Sequence, residues 1–171
     1  MKVRRVIFLL LMLVFAGGFF LPENFRMPVE GATSADYNHA SFWYHPWGAS
    51  GVHKGVDIFA DKGTAIHPAT LGIVLYTGQL KRGGNVVAVL GPRWRMHYYA
   101  HLDEIRAGKF HIVGPEDVLG TVGTSGNAAG KPPHLHYAIV TIFPYVWKAD
   151  DSPQGEKKMF YLDPVARLLA L

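Results

Sequence analysis

Residues His134–Ile142 read HLHYAIVTI, and this stretch decides the fold. β-branched and aromatic residues dominate it, as expected of a strand on a pleated, half-buried surface. Side chains two apart on a strand share a face. His134 and His136 therefore present two imidazoles side by side, and Leu135 turns toward the core. The residues just before them, GTSGNAAGKPP (123–133), are turn formers. Further upstream come GVDIFA (55–60), LGIVLYTGQL (71–80), NVVAVL (85–90) and RMHYYAHL (95–102). GASG, RGG and GPR separate them. Short apolar runs spaced by Gly and Pro predict a mostly β protein whose antiparallel sheets form a sandwich or open barrel with a central groove.

Composition agrees. The chain has 171 residues, enough for one domain, and 49% of them are apolar. Nineteen Gly and eleven Pro suit many turns better than a helical bundle. The absence of cysteine excludes thiolate metal sites, thiol nucleophiles and disulfides. Any metal site must then draw on carboxylates and the nine His. Of the net charge of +4, +3 lies in residues 1–26 and +1 in the other 145. The body has no basic stripe, so nucleic acid is not an expected partner.

The two ends read differently. Lys2, Arg4 and Arg5 precede a non-polar run from Val6 to Leu21, closed by Pro22. That order predicts a helical signal peptide or signal anchor over residues 1–21. Sixteen apolar residues are few for a spanning helix, which needs about 20. No small-x-small cleavage site lies close behind the run, so the reading leans toward an uncleaved anchor in the cytoplasmic membrane. In either case the body works outside the cytoplasm. Residues 22–40 lack periodicity and read as a linker, which leaves 41–171 as the functional domain. At the other end, Asp163 and Pro164 ahead of VARLLAL predict a short capped C-terminal helix.

Two clusters carry chemistry. Besides the His pair on HLHY, the segment HKGVD sets His53 and Asp57 four apart, and Gly55 with VDIF argues for a loop entering a strand. Two imidazoles and a carboxylate can hold a zinc ion and leave its fourth position free. His101, closing the aromatic segment YYAHL, is a further candidate. Each residue taken singly is better explained as ordinary surface or core. Phe42, Trp43, Tyr44 and Trp47 read as core, with a groove wall as the sharper alternative. Among the remaining histidines His45 is the leading addition to the site, since it lies close before HKGVD.

HKGVD, YYAHL and PPHLHY, in this order, resemble the three signatures of the LytM/lysostaphin-type zinc endopeptidases, which cleave bacterial peptidoglycan. The resemblance covers roughly Ser41 to Ile142. It implies that His53, Asp57 and His136 ligate one Zn2+ per chain, with His101 and His134 as catalytic non-ligands. It further implies peptidoglycan stem peptides as substrate and an exported protein of the cell envelope or periplasm. The implied activity is hydrolysis of peptide cross-links; the Arg-rich start with its short apolar segment, and no recognisable wall-targeting module, favour a Gram-negative envelope and a direct D-Ala cross-link over a glycine bridge. Relatives lacking ligands act as non-enzymatic activators of other wall hydrolases. The stretch 103–117, the long 123–133 loop and the aromatic segment before His53 depart from the pattern and leave substrate choice open.

Overall fold

The computed structural model describes residues 2–171. Nine strands form one open antiparallel sheet. They are β1 (Val56–Phe59), β2 (Ala65–Ile66), β3 (Gly72–Leu80), β4 (Gly84–Gly91) and β5 (Arg95–Ile105). β6 (Ile112–Val113), β7 (Gly120–Val122), β8 (His134–Thr141) and β9 (Tyr161–Leu162) follow. The main path runs β1-β8-β5-β4-β3-β6, with β7 bridging β2 to β5 and β9 pairing with β8. All five runs singled out in the sequence form strands. The four strands missed there are two or three residues long, too short to show a period.

Strand β8 lies between β1 and β5, which sets the face of every residue on it. Leu135, Tyr137 and Ile139 turn inward onto Ile58, Val87, Val89, Tyr99 and Leu102, all of them fully buried. Burying each such side chain contributes about 1.5–3 kcal/mol, so a one-residue slip of β8 is strongly disfavoured. His134 and His136 thereby take the opposite face. Two of the buried tyrosine hydroxyls, those of Tyr99 and Tyr137, have partners. Tyr99 accepts from the Ala69 amide at 2.8 Å, and the Tyr137 hydroxyl lies 2.6 Å from His97 Nδ1.

The expected linker is part of this body. Val29 is buried and bridges to Ile66, and Tyr37 bridges to Ile58. Backbone bonds join Arg26 to Ala69, His67 to Pro28 and Glu30 to Ala65. The Glu23 side chain is 3% exposed and ion-paired to Arg95 and Arg167. Isolated apolar residues among prolines and polar side chains give no periodic signal, which is why composition alone suggested a linker.

Helix α1 (Lys2–Gly18) forms at the N-terminus, and its end rests on Trp94 and Phe143. Among the described residues no helix is long and apolar enough to cross a membrane, so the expected anchor is not supported. At 17 residues α1 extends about 26 Å, against a hydrocarbon core of about 30 Å. Helix α2 (Pro164–Leu168) starts as expected: the Asp163 carboxylate accepts from the Val165 and Ala166 amides.

Candidate metal centre and flanking histidines

Strand pairing builds the site. On β1 and β8, Asp57 is the register partner of His136 and Phe59 that of His134. On the other side of β8, His136 faces Ala100 of β5, the residue before His101. His53 enters from the loop before β1, where its backbone pairs with Trp43 and Tyr44. Its ring is 1% exposed and stacks on Trp47 at a centroid distance of 4.2 Å. The aromatic segment is thus partly core, as expected of Trp43, and partly a backing for His53. His45 is exposed and stands outside the group.

Three ligating atoms converge. His53 Nε2 lies 3.0 Å from Asp57 Oδ1 and 3.1 Å from His136 Nδ1, and His136 Nδ1 lies 2.7 Å from Asp57 Oδ1. Among the described residues, these are the three His, Asp or Glu side chains grouped closely enough to hold one ion. Gly55 makes room for them. A Cβ there would stand 2.9 Å from His136 Cε1 and nearer still to the Tyr137 carbonyl oxygen.

Protonation can be read from the outer partners. A carbonyl oxygen only accepts, so a ring nitrogen facing one carries the proton. His53 Nδ1 donates to Ser41 O at 3.1 Å, His101 Nδ1 to Ser125 O at 2.9 Å and His134 Nδ1 to Pro132 O at 2.7 Å. Each ring therefore turns its Nε2 the other way. At His53 that atom meets the Asp57 carboxylate. Two lone-pair-bearing groups at 3.0 Å repel unless a cation or a proton lies between them. Burial alone would raise the Asp57 carboxyl, yet hydrogen bonds and charge from His136 and His53 draw it far below its ordinary range. It is a carboxylate at any physiological pH. Two imidazoles and an ionised carboxylate on a partly open surface form a donor set that fits a zinc ion.

His101 and His134 flank this set. Their ring centroids lie 5.1 Å apart, and His101 lies 6.0 Å from His136. His134 Nε2 is 3.9 Å from Asp57 Oδ2. His101 adopts φ 66°, a left-handed conformation that costs a non-glycine residue about 1–3 kcal/mol. It is held there by its amide bond to Gly83 O and by its ring bond to Ser125 O. Burial pulls its imidazole down to about 4, so the ring is neutral at pH 7. All five expected residues thus come together. No residue type marks the three carbonyls that bind the ring Nδ1 atoms, because every residue supplies a carbonyl.

Residues 51–148 match the model of Peptidase family M23. The L-Ala–D-Glu endopeptidase of Bacillus subtilis is 36% identical over 124 residues, 67% of this chain and 37% of that protein. The murein hydrolase activator NlpD of Escherichia coli is 33% identical over 119 residues, 68% of this chain and 28% of that protein. The chain thus spans well under half the length of either relative. The catalytic domain of lysostaphin from Staphylococcus simulans shares the fold at TM-score 0.61 and 22% identity, covering 80% of this chain and 95% of that domain.

Proposed function

The chain belongs to peptidase family M23, and from that premise we propose that it is an exported zinc-dependent endopeptidase acting on the peptides of bacterial peptidoglycan. Residues 1–21 serve as its export signal, and everything from Pro22 onward belongs to the catalytic body. The observation that carries this reading is the triangle of His53 Nε2, Asp57 Oδ1 and His136 Nδ1, with sides of 2.7–3.1 Å. Its substrate is a peptide cross-link, first a D-Ala cross-link. The name of the B. subtilis relative makes the L-Ala–D-Glu stem bond the second choice.

His53, Asp57 and His136 would hold the zinc ion. Zinc in such a set supplies Lewis acidity and lowers the pKa of water toward ~7. The chain's own contribution beyond that is proton handling. With Nδ1–H tied to carbonyls, His101 and His134 present bare Nε2 atoms as acceptors. One of them takes the proton from the attacking water. The imidazolium so formed hydrogen-bonds the developing oxyanion and then protonates the leaving amine. Positioned acid–base groups of this kind contribute about a hundred- to ten-thousandfold in rate.

The test is the zinc content of the purified chain, together with digestion of purified peptidoglycan with and without chelator. Mass spectrometry of the released muropeptides identifies the bond. Chelator-sensitive release of new amines is expected. Stoichiometric zinc without any bond cleavage would overturn the enzymatic reading and favour an activator role like that named for NlpD.

A further inference from the structure

Strand β5 is irregular next to the site. Asn85 of β4 pairs with Leu102 and Val87 with Tyr99, so Ala100 and His101 together oppose Val86. That is a β-bulge, with the extra residue on β5. It decides which way His101 points. Tyr99 and Tyr137 are register partners on the core face, and Ala100 pairs with His136 on the site face. In an unbroken strand His101 would share the face of Tyr99 and turn into the core, while Leu102 would face the site. With the bulge, Leu102 is fully buried in the core, and the His101 ring stands 5.1 Å from that of His134. The left-handed backbone of His101, φ 66°, is where the strand exchanges its faces.

A bulge interrupts the ladder, and the backbone groups beside it need other partners. Two side chains supply them. Asn85 Nδ2 donates to Leu102 O at 3.1 Å and to Asp103 O at 2.8 Å. Gln79 Nε2 fixes the other end of that amide by donating to Asn85 Oδ1 at 3.2 Å. Ser125 Oγ donates to Leu102 O at 2.7 Å and accepts from the Asn85 amide at 2.9 Å. The carbonyl of the same Ser125 accepts from His101 Nδ1 at 2.9 Å. Gly84 permits this close approach, because a Cβ there would strike Ser125 Oγ. We propose that Asn85 and Ser125 are positioning residues, which lock the bulge and thereby aim His101 at the reacting groups. Neither belongs to the metal triad. This deepens the catalytic role given to His101 above and rests on it.

The experiment uses the full zinc-loaded chain with Asn85→Asp, which keeps the side chain's size but removes both donors, and separately with Ser125→Ala. Nitrogen NMR of isotope-labelled imidazole rings reads the tautomer of His101, its signals assigned by their loss in His101→Gln. Amine release from a synthetic cross-linked stem peptide gives kcat and KM, and metal analysis gives zinc stoichiometry. Both variants should bind zinc fully and keep KM within about twofold, while kcat falls about a hundredfold, the cost of misplacing a catalytic group by about 1 Å. The His101 signal should move from the Nδ1–H form to a mixture of tautomers. Ser125→Thr keeps the hydroxyl and should restore both kcat and tautomer. A merely structural role would lower the denaturant midpoint and leave kcat and tautomer alone. Folded, zinc-bound variants with an unchanged tautomer and kcat within about threefold of the unsubstituted chain would overturn the proposal. Should Asn85→Asp fail to fold, Ser125→Ala measured against Ser125→Thr decides. If the unsubstituted chain cleaves nothing but the substitutions still shift the tautomer, the lock stands and the enzymatic reading falls.

Discussion

Substituting Gly55 by alanine should loosen the metal centre although position 55 ligates nothing. The added methyl would stand 2.9 Å from His136 Cε1 and 3.0 Å from His136 Nε2, and ordinary contact begins at 3.4 Å. The ring must therefore retreat by about 0.5 Å, which is the whole tolerance of a metal constellation. The clash with the Tyr137 carbonyl is closer and harder to relieve, because Tyr137 is fully buried. That carbonyl can move only with β8, and β8 carries His136 opposite Asp57. Overpacking costs about 1–3 kcal/mol of stability, and disturbing a ligand's support typically costs 10–100-fold in metal affinity. Competition with a fluorescent chelator reads the affinity, and denaturant unfolding of the apo chain reads the stability. Zinc affinity within about threefold of the unsubstituted chain would refute the argument that Gly55 is there to admit the ring.

His53→Ala and Asp57→Ala should lose zinc and activity together, measured as metal content and amine release. His134→Ala should keep zinc and lose about a hundred- to ten-thousandfold in turnover; a stable but zinc-free His134 variant would reverse the assigned roles. Glu23→Gln leaves the nearly buried Arg95 guanidinium without its carboxylate, so unfolding should show a loss of about 3–5 kcal/mol. Burial, together with the charges of Arg95 and Arg167, pulls buried His97 down to about 3 from its ordinary 6.5. The unfolded chain takes up that proton below pH 6.5 while the folded chain resists until about 3. Stability from this group is therefore complete above 6.5 and falls by up to about 1.4 kcal/mol per pH unit below it. Denaturant midpoints between pH 7 and 4 measure the slope, and His97→Gln should flatten it.

The sequence disclosed those parts of the site whose side chains repeat at a fixed interval. HLHY shows its two imidazoles because strand period is two, and the following YAIVTI establishes the strand. HKGVD is legible for the same local reason. Joining them is not local. Asp57 meets His136 only because β1 pairs with β8, and nothing within either segment names the other as its partner. Ser41, Ser125 and Pro132 act through backbone oxygen, which every residue possesses. Glu23 looked like a linker residue because its partners, Arg95 and Arg167, lie 72 and 144 positions away.

The same electrostatics separate an enzyme from a domain retained only for its shape. Without a cation, a proton must be held between His53 Nε2 and the Asp57 carboxylate oxygen at 3.0 Å, and the left-handed His101 adds a backbone cost. A domain needing only the fold would gain from replacing this cluster with apolar side chains of similar volume. Keeping it is a stability loss that a bound cation offsets. Zinc at 100 times its dissociation constant should therefore stabilise the folded chain by about 2.7 kcal/mol, and Asp57→Ala should abolish that gain. A chain equally stable with and without zinc would show that the cluster was never a strained metal site.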